Sequence, residues 1–410
     1  MARRKDQIDT VKREPIAGGC STISKLPLIV TGHTSPGRAV SAQGARFTDE
    51  HNVTWLDFDM ALGSVIWGHG REEFADSVRR ALIECGAASV PTVLEHEAAQ
   101  RLLHRLERYE QARFFKGGAD ACSAAVRIGR AATGRQLIAV DGYHGWHDWS
   151  AACAYSETPL TLGILPEVKE AVRFLDPNAG IGAARDALLP FADRVAAVIV
   201  RPEVWTGDAI AALRAHCDLS GMVLIFDEIT SHYKYGRTGV AGALNIWPDL
   251  LCISKGLANG LPLAALVGPK RLMQYASLAH ISATYASEST ALAALITGEN
   301  LLCQAIEWPS WRREVQDVIQ RVQATLERLG LAQTIEVIDR YGFFSVQSIG
   351  MPFKADAVRM HIVGHLTDQQ IFTRGWFHGS DRHDPSDWQI LGQHLDAALE
   401  SWLEKSDRFA

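Results

Sequence analysis

Buried strands alternating with a helix, together with a change of composition near residue 305, predict an α/β protein. In this architecture a large domain, with a mostly parallel sheet flanked by helices, precedes a small α+β domain. Val195–Val200 is an unbroken apolar run, residues 209–220 carry apolar groups at helical spacing, and Val223-Leu224-Ile225-Phe226-Asp227-Glu228-Ile229 is apolar again around two carboxylates. Strand, helix and strand in that order form a right-handed crossover between parallel strands. A further short apolar run, Leu251-Cys252-Ile253, ends in Ser254-Lys255-Gly256. An acid and a lysine are thus delivered to the carboxyl ends of two buried strands, which is where open α/β sheets bind ligands.

The chain has 410 residues, 47% hydrophobic and 21% charged, enough to bury more than one core. The expected division is an N-terminal segment at 1–50 packing with the small domain, a large cofactor-binding domain at 51–304, and the small α+β domain at 305–410. A formal charge of −6 offers no attraction to nucleic acid or a membrane surface, and no partner of either kind is expected. The seven cysteines, at 20, 85, 122, 153, 217, 252 and 303, form no Cys-x-x-Cys pair and read as reduced thiols. Arg3, Arg4 and Lys5 are followed by polar residues rather than a signal-peptide core, so a cytoplasmic location is expected.

Along the chain, residues 1–30 are weakly periodic and read as an arm. Thr34-Ser35-Pro36-Gly37-Arg38 is a turn, and Arg38 reads either as a solvated turn residue, the default on chemistry, or as a clamp for a substrate carboxylate. Residues 45–57 read as a hairpin around a polar turn. Residues 71–85, with Phe74, Val78, Ala81 and Leu82 on one face, and 95–106, with Ala98, Leu102 and Leu106, are amphipathic helices.

Arg113-Phe114-Phe115-Lys116 runs through Gly117-Gly118-Ala119 into an alanine-rich helix. Such a helix start reads as an anion site or as an ordinary structural turn. After a short strand at 136–140, Tyr143 is placed to stack on a planar ring, while His144, His147 and Asp148 read as locally hydrogen-bonded groups rather than metal ligands; no metal is expected. A loop at 231–240, strands near 248–254 and 263–267, and a helix at 289–302 follow. A long charged helix at 308–329, strands at 334–338, 342–348 and within 368–375, and a closing helix at 388–404 complete the reading. A Schiff-base lysine and an acid for a ring nitrogen, brought to one crevice as Lys255 and Asp227, are what pyridoxal 5'-phosphate (PLP) needs.

Phe226-Asp227-Glu228, Ser254-Lys255-Gly256, Tyr143-His144-Gly145 and Ser35-Pro36-Gly37-Arg38-Ala39, taken together, resemble the class III, fold-type I PLP-dependent aminotransferases, in the branch of glutamate-1-semialdehyde aminomutase. The likeness runs over about residues 36–302. It implies that Lys255 carries the Schiff base and acts as proton-transfer base, and that Asp227 keeps the ring nitrogen protonated. It also implies that Ile229 and Tyr143 cover the two ring faces, and that Gly118 and Ala119 give backbone N–H groups to the phosphate. Thr284 of a neighbouring subunit would complete the phosphate site in a homodimer, and Arg38 would bind the donor's carboxylate.

The chain departs from that pattern at Gly117-Gly118-Ala119-Asp120, where a hydroxyl is usual, and at Arg201-Pro202-Glu203, where the family commonly has an acid before the proline. It departs again at Leu62, in place of a tryptophan, and across residues 375–383. The Tyr-His-Gly-Trp-His-Asp-Trp run is closer to relatives associated with sugar and natural-product amination. The leading expectation is an aminotransferase moving an amino group from an amino acid donor to a keto or aldehyde acceptor. The alternatives are an aminomutase, racemase or epimerase, and a PLP-binding protein without catalysis.

Overall fold

The computed structural model describes residues 15–26, 32–154, 161–350 and 356–406. Most of the expected N-terminal arm therefore lies outside the described residues. Early in the chain, β1 (Ala39–Gln43), β2 (Arg46–Asp49) and β3 (Thr54–Asp57) pair antiparallel, so the expected hairpin at 45–57 is present, and β1 directly follows the stretch read as a turn. These strands belong to a unit that includes described residues up to Gly63, then Arg313–Asp339 and the chain from Phe343 onward.

The larger unit is Ser64–Arg312 with Arg340–Gly342. Its boundaries fall later than the 51 and 305 expected from sequence. β3 remains hydrogen-bonded to β2, and residues before 313 stay with the larger unit, where Trp308 Nε1 donates to Tyr233 O at 2.6 Å.

The larger unit is built on β4 (Gln111–Phe115), β5 (Leu137–Val140), β6 (Val172–Phe174), β7 (Val195–Val200), β8 (Val223–Asp227), β9 (Leu250–Ile253) and β10 (Ala264–Gly268), in the order β4-β10-β9-β8-β7-β5-β6. From β6 to β9 all neighbours are parallel, and β10 is antiparallel to both β4 and β9. Every residue of β5, β7, β8, β9 and β10 is buried, which explains their unbroken apolar sequences.

Helix Gly118–Thr133 packs on the sheet through small residues, Ala121, Ala124 and Ala125 among them. A β-carbon at Gly129 would lie 2.9 Å from Ala197 Cβ, so this glycine permits the close approach. The approach aims the helix N-terminus at the carboxyl ends of the strands. Helices Glu72–Glu84 and Val93–Leu106 pack against Ser289–Gln304. The segment at 231–240 is not a plain loop, since His232–Tyr235 and Gly239–Leu244 are short helices.

In the smaller unit, β11 (Ile335–Asp339), β12 (Phe343–Ser348) and a late strand form an antiparallel sheet. The expected strand at 368–375 reduces to β13 (Ile371–Phe372), parallel to β3, and β14 (Trp376–His378) is the partner of β12. Helix Ala357–Asp368 and the closing helix Pro385–Ser406 complete the α+β arrangement.

Candidate active site

Asp141 directly follows β5, Arg201 directly follows β7, Asp227 closes β8 and Lys255 stands two residues beyond β9. All four sit at carboxyl ends of neighbouring parallel strands, and the turn after β8 links the parts. Asp227 Oδ2 lies 2.8 Å from His144 Nδ1, and its Oδ1 accepts from Ile229 N at 3.0 Å. Ile229 lies against the helix start: a β-carbon at Gly118 would be 2.9 Å from its Cδ1 and Cγ2. Thr230 Oγ1 accepts from Lys255 Nζ at 2.7 Å. Three of the four residues at 227–230 thus contact the lysine, the histidine and the glycine turn.

Lys255 has φ +47°, the left-handed region that a non-glycine residue occupies at a cost of about 1–3 kcal/mol. Its neighbours fix it there. Ser254 Oγ donates to Leu263 O at 2.7 Å, and a β-carbon at Gly256 would come within 2.9 Å of Ile66 Cδ1 and 3.2 Å of the Tyr233 ring.

His144 is buried between two carboxylates. Besides Asp227 at Nδ1, its Nε2 lies 3.1 Å from Asp141 Oδ1, off the line of a good hydrogen bond but at ion-pair distance. Burial pulls the imidazole pKa down, but hydrogen bonding and attraction from Asp141 and Asp227 outweigh it and raise it to about 9. Burial opposes ionisation of Asp141 as well, yet the Arg201 charge and the His144 contact hold it below the usual carboxylate range. Glu203, in contrast, is raised to about 7 by burial, against the pull of Arg201, and accepts from Ser231 Oγ at 2.9 Å. Glu228 turns away from Asp227 and accepts from Val240 N and Ala241 N; burial raises it to about 8.

The His144 shift has a consequence for stability. A group whose folded pKa of about 9 exceeds its unfolded value of 6.5 contributes stability that is fully present below pH 6.5 and is lost as pH rises through 9. The urea midpoint of the wild type relative to His144→Gln is expected to be greatest at pH 6 and to shrink across that window. A constant difference from pH 6 to 9.5 would contradict it.

The loop after β5 is tied to the glycine-started helix. Ser123 Oγ lies 2.6 Å from His147 Nδ1 and accepts from Trp149 Nε1 at 2.8 Å, and His144 N donates to Ser150 Oγ at 2.7 Å. The His147 ring is therefore locally hydrogen-bonded, whereas the His144 ring reaches Asp227 at the end of another strand. Gly145 lies so close to Ala119 that a β-carbon would fall 2.4 Å from Ala119 Cβ. The first amides of the helix have no intrahelical acceptors, which suits them to an anion. The Asp120 carboxylate, next to the glycine turn, lies 3.6 Å from His147 Nε2.

Of the residues singled out from sequence, Asp227, Ile229, Lys255, Gly118 and Ala119 are brought to this region. Tyr143, next to His144, is 45% exposed, and Thr284 is exposed in its loop. Arg38 belongs to the smaller unit, where its Nη1 is 3.8 Å from Glu50 Oε1 and both side chains are exposed. Leu62 also belongs to that unit, in a turn where Met60, Ala61, Leu62 and Gly63 all have positive φ. Asp141, Trp205 and Thr230 went unread in the sequence, and Arg201 was read only as a departure. The available signal was position: Asp141 and Arg201 immediately follow buried strands, much as Asp227 closes one.

Residues 31–375 match the model of the aminotransferase class-III family. The 2'-deamino-2'-hydroxyneamine transaminase of Streptomyces kanamyceticus is 32% identical over 266 residues, covering 63% of this chain and 65% of that protein. Among solved structures, a transaminase with PLP bound superposes with a TM-score of 0.84 at 24% identity, over 99% of each chain. A glutamate-1-semialdehyde aminomutase from Pseudomonas aeruginosa PAO1 gives 0.76 at 20% identity, over 88% of this chain and 87% of that one. The fold is that of these enzymes.

Proposed function

The chain belongs to the class III aminotransferases, and from that premise we propose that it is a PLP-dependent enzyme moving an amino group from an amino acid donor to a keto or aldehyde acceptor. The observation that carries this reading is the turn at 227–230, which joins Asp227, Ile229 and the Lys255 contact in one crevice with the glycine-started helix. The residues present fit the cofactor. Gly118 lets the Ile229 side chain pack against the helix start, the helix start offers backbone N–H groups, and Lys255 and Asp227 are supplied by adjacent strands. When bound, PLP supplies an aldehyde for an amine and an electron-poor ring that stabilises negative charge at the substrate carbon.

Lys255 would hold the cofactor through its amine and would move a proton at Nζ to and from the substrate carbon. Asp227 holds the proton on the ring nitrogen. Ile229 and Tyr143 bind the two ring faces, and Gly118 and Ala119 bind the phosphate through their backbone N–H groups. Arg38 is the proposed clamp for the donor's carboxylate. The likeness to the neamine-type transaminase supports a sugar or other natural-product intermediate as acceptor. No described helix is long and apolar enough to cross a membrane, and the scattered free cysteines support a cytoplasmic location.

The proposed assembly is a homodimer in which Thr284 reaches the partner's phosphate site. Its exposure within a single chain supports this. Thr284→Ala is expected to weaken PLP retention by about tenfold, the loss of one hydrogen bond to a charged group. Dialysis followed by absorbance of the retained cofactor measures this, and unchanged retention would remove Thr284 from the site.

The reading as a whole is tested by giving the purified protein one amino substrate, with and without a keto or aldehyde acceptor. Product is expected only with the acceptor. Product formed without it would replace this reading with an aminomutase or epimerase.

A further inference from the structure

Arg201 stands where the family pattern has an acid, and its partner is Asp141. β5 and β7 are neighbours, with Val140 opposite Ile199, so Arg201 stands one position past the point that faces Asp141, beside Gly142. Asp141 Oδ2 accepts from Arg201 N at 2.9 Å and from Trp205 Nε1 at 2.8 Å, and Oδ1 is 3.4 Å from Arg201 Nε. Arg201 Nη2 also donates to Asp141 O at 3.0 Å. The guanidinium lies across Gly142, where a β-carbon would be 2.7 Å from Nη2. Asp141 is fully buried, and on its other side Oδ1 faces His144 Nε2 at 3.1 Å.

The result is a line of alternating charge, Arg201, Asp141, His144 and Asp227. A buried carboxylate of this kind is tolerated only when its hydrogen bonds and counter-charges are in place. Resting on the PLP-dependent reading of the site, we infer that Asp141 is a positioning residue: held by Arg201 and Trp205, it keeps His144 doubly protonated with Nδ1–H committed to Asp227. Asp141 touches no reacting atom and acts through His144. With an amide in its place, the imidazole would lose one flanking anion while the Arg201 cation remained nearby, and both changes favour the neutral ring. The amide oxygen would keep the Arg201 and Trp205 bonds and its NH2 would face Nε2, so the neutral ring would keep Nδ1–H on Asp227 while Asp227 loses the cation beside it. The raised His144 pKa agrees with the geometry.

The test uses 15N-histidine-labelled holoenzyme at pH 7.5, with the His144 signals assigned by their absence in His144→Gln. In the wild type both ring nitrogens are expected at imidazolium shifts. In Asp141→Asn they are expected to split into the pattern of a neutral ring, with kcat lowered about 10- to 100-fold, the usual size of an outer-shell loss, and the KM for the amino donor changed by less than about threefold. If Asp141→Asn does not fold, Trp205→Phe removes one hydrogen bond from Asp141 and leaves its charge. It is expected to lower kcat severalfold at unchanged KM.

Imidazolium shifts retained in Asp141→Asn, a neutral His144 in the wild type, or unchanged kcat in a folded Trp205→Phe would each overturn the inference. The nitrogen shifts do not depend on turnover. A wild type with imidazolium shifts but no acceptor-dependent product would therefore count against the aminotransferase reading and leave the role of Asp141 standing.

Discussion

Lys255→Ala is expected to lower transamination by about 10^4-fold or more, because it removes both the amine that meets the aldehyde and the general base, and a positioned base alone is worth 10^2–10^4. The structure argues that no neighbour takes over. Lys255 is held in a left-handed backbone conformation at the end of β9, so its Nζ reaches Thr230 beside Asp227 from a direction set by the strand. A lysine elsewhere would have to reproduce that approach. The substitution leaves the β-carbon and the backbone in place, so the melting temperature is expected to change little. Single-turnover measurement of the donor half-reaction on purified protein decides the matter. Retention of more than about a hundredth of the wild-type rate would show that another group performs the proton transfer.

The parts of this molecule that could be read from its sequence are those whose environment is uniform. β7 and β8 are buried on both faces, and their apolar runs admit little else than parallel strands. Helix Val93–Leu106 has one buried face, and Ala98, Leu102 and Leu106 announce it. Helix Ala357–Asp368 buries Val358, Arg359, His361, Ile362, Val363 and Leu366 around most of its circumference, so it carries no amphipathic period. β1 has all five residues exposed, and β13 has only two residues, too few for any alternation to show.

The turn at Met60–Gly63 was illegible for another reason. Alanine and leucine do not signal left-handed backbone, and what holds them there is remote or buried. Asp57 Oδ1 accepts from Asp59 N and Met60 N, Asp59 Oδ1 accepts from Leu62 N, and Asp59 Oδ2 meets Arg374 Nη1 at 3.0 Å. The same distinction divides the site. Asp227 and Lys255 were legible because each stands at the end of an apolar run in its own local sequence. Asp141 and Arg201 acquire their meaning only when β5 and β7 become neighbours, which no local pattern states.

Asp227→Asn is the second substitution expected to have a large effect, and it separates charge from shape. The amide is nearly isosteric with the carboxylate, so the turn and the Ile229 N–H contact survive if the amide oxygen keeps the Oδ1 position. The amide nitrogen then falls at the Oδ2 position, 2.8 Å from His144 Nδ1, where a protonated imidazole presents another donor. Two donors face each other, and the alternative rotamer moves the same conflict onto Ile229 N. Either arrangement leaves a buried donor without an acceptor, at a cost of about 1–3 kcal/mol. More important for chemistry, an amide cannot hold a proton on the ring nitrogen, so the ring is a poorer acceptor of the substrate carbon's electron pair.

The interaction is needed most where charge develops, so kcat is expected to fall about 10^2–10^3-fold while the KM for the amino donor stays within about threefold. Steady-state kinetics with the preferred donor measures both, and cofactor absorbance confirms that the variant is loaded. A loaded Asp227→Asn enzyme within tenfold of wild-type kcat would mean that the ring nitrogen draws its support from another group. Asp227 would then be confined to anchoring the turn that links His144, Ile229 and Thr230.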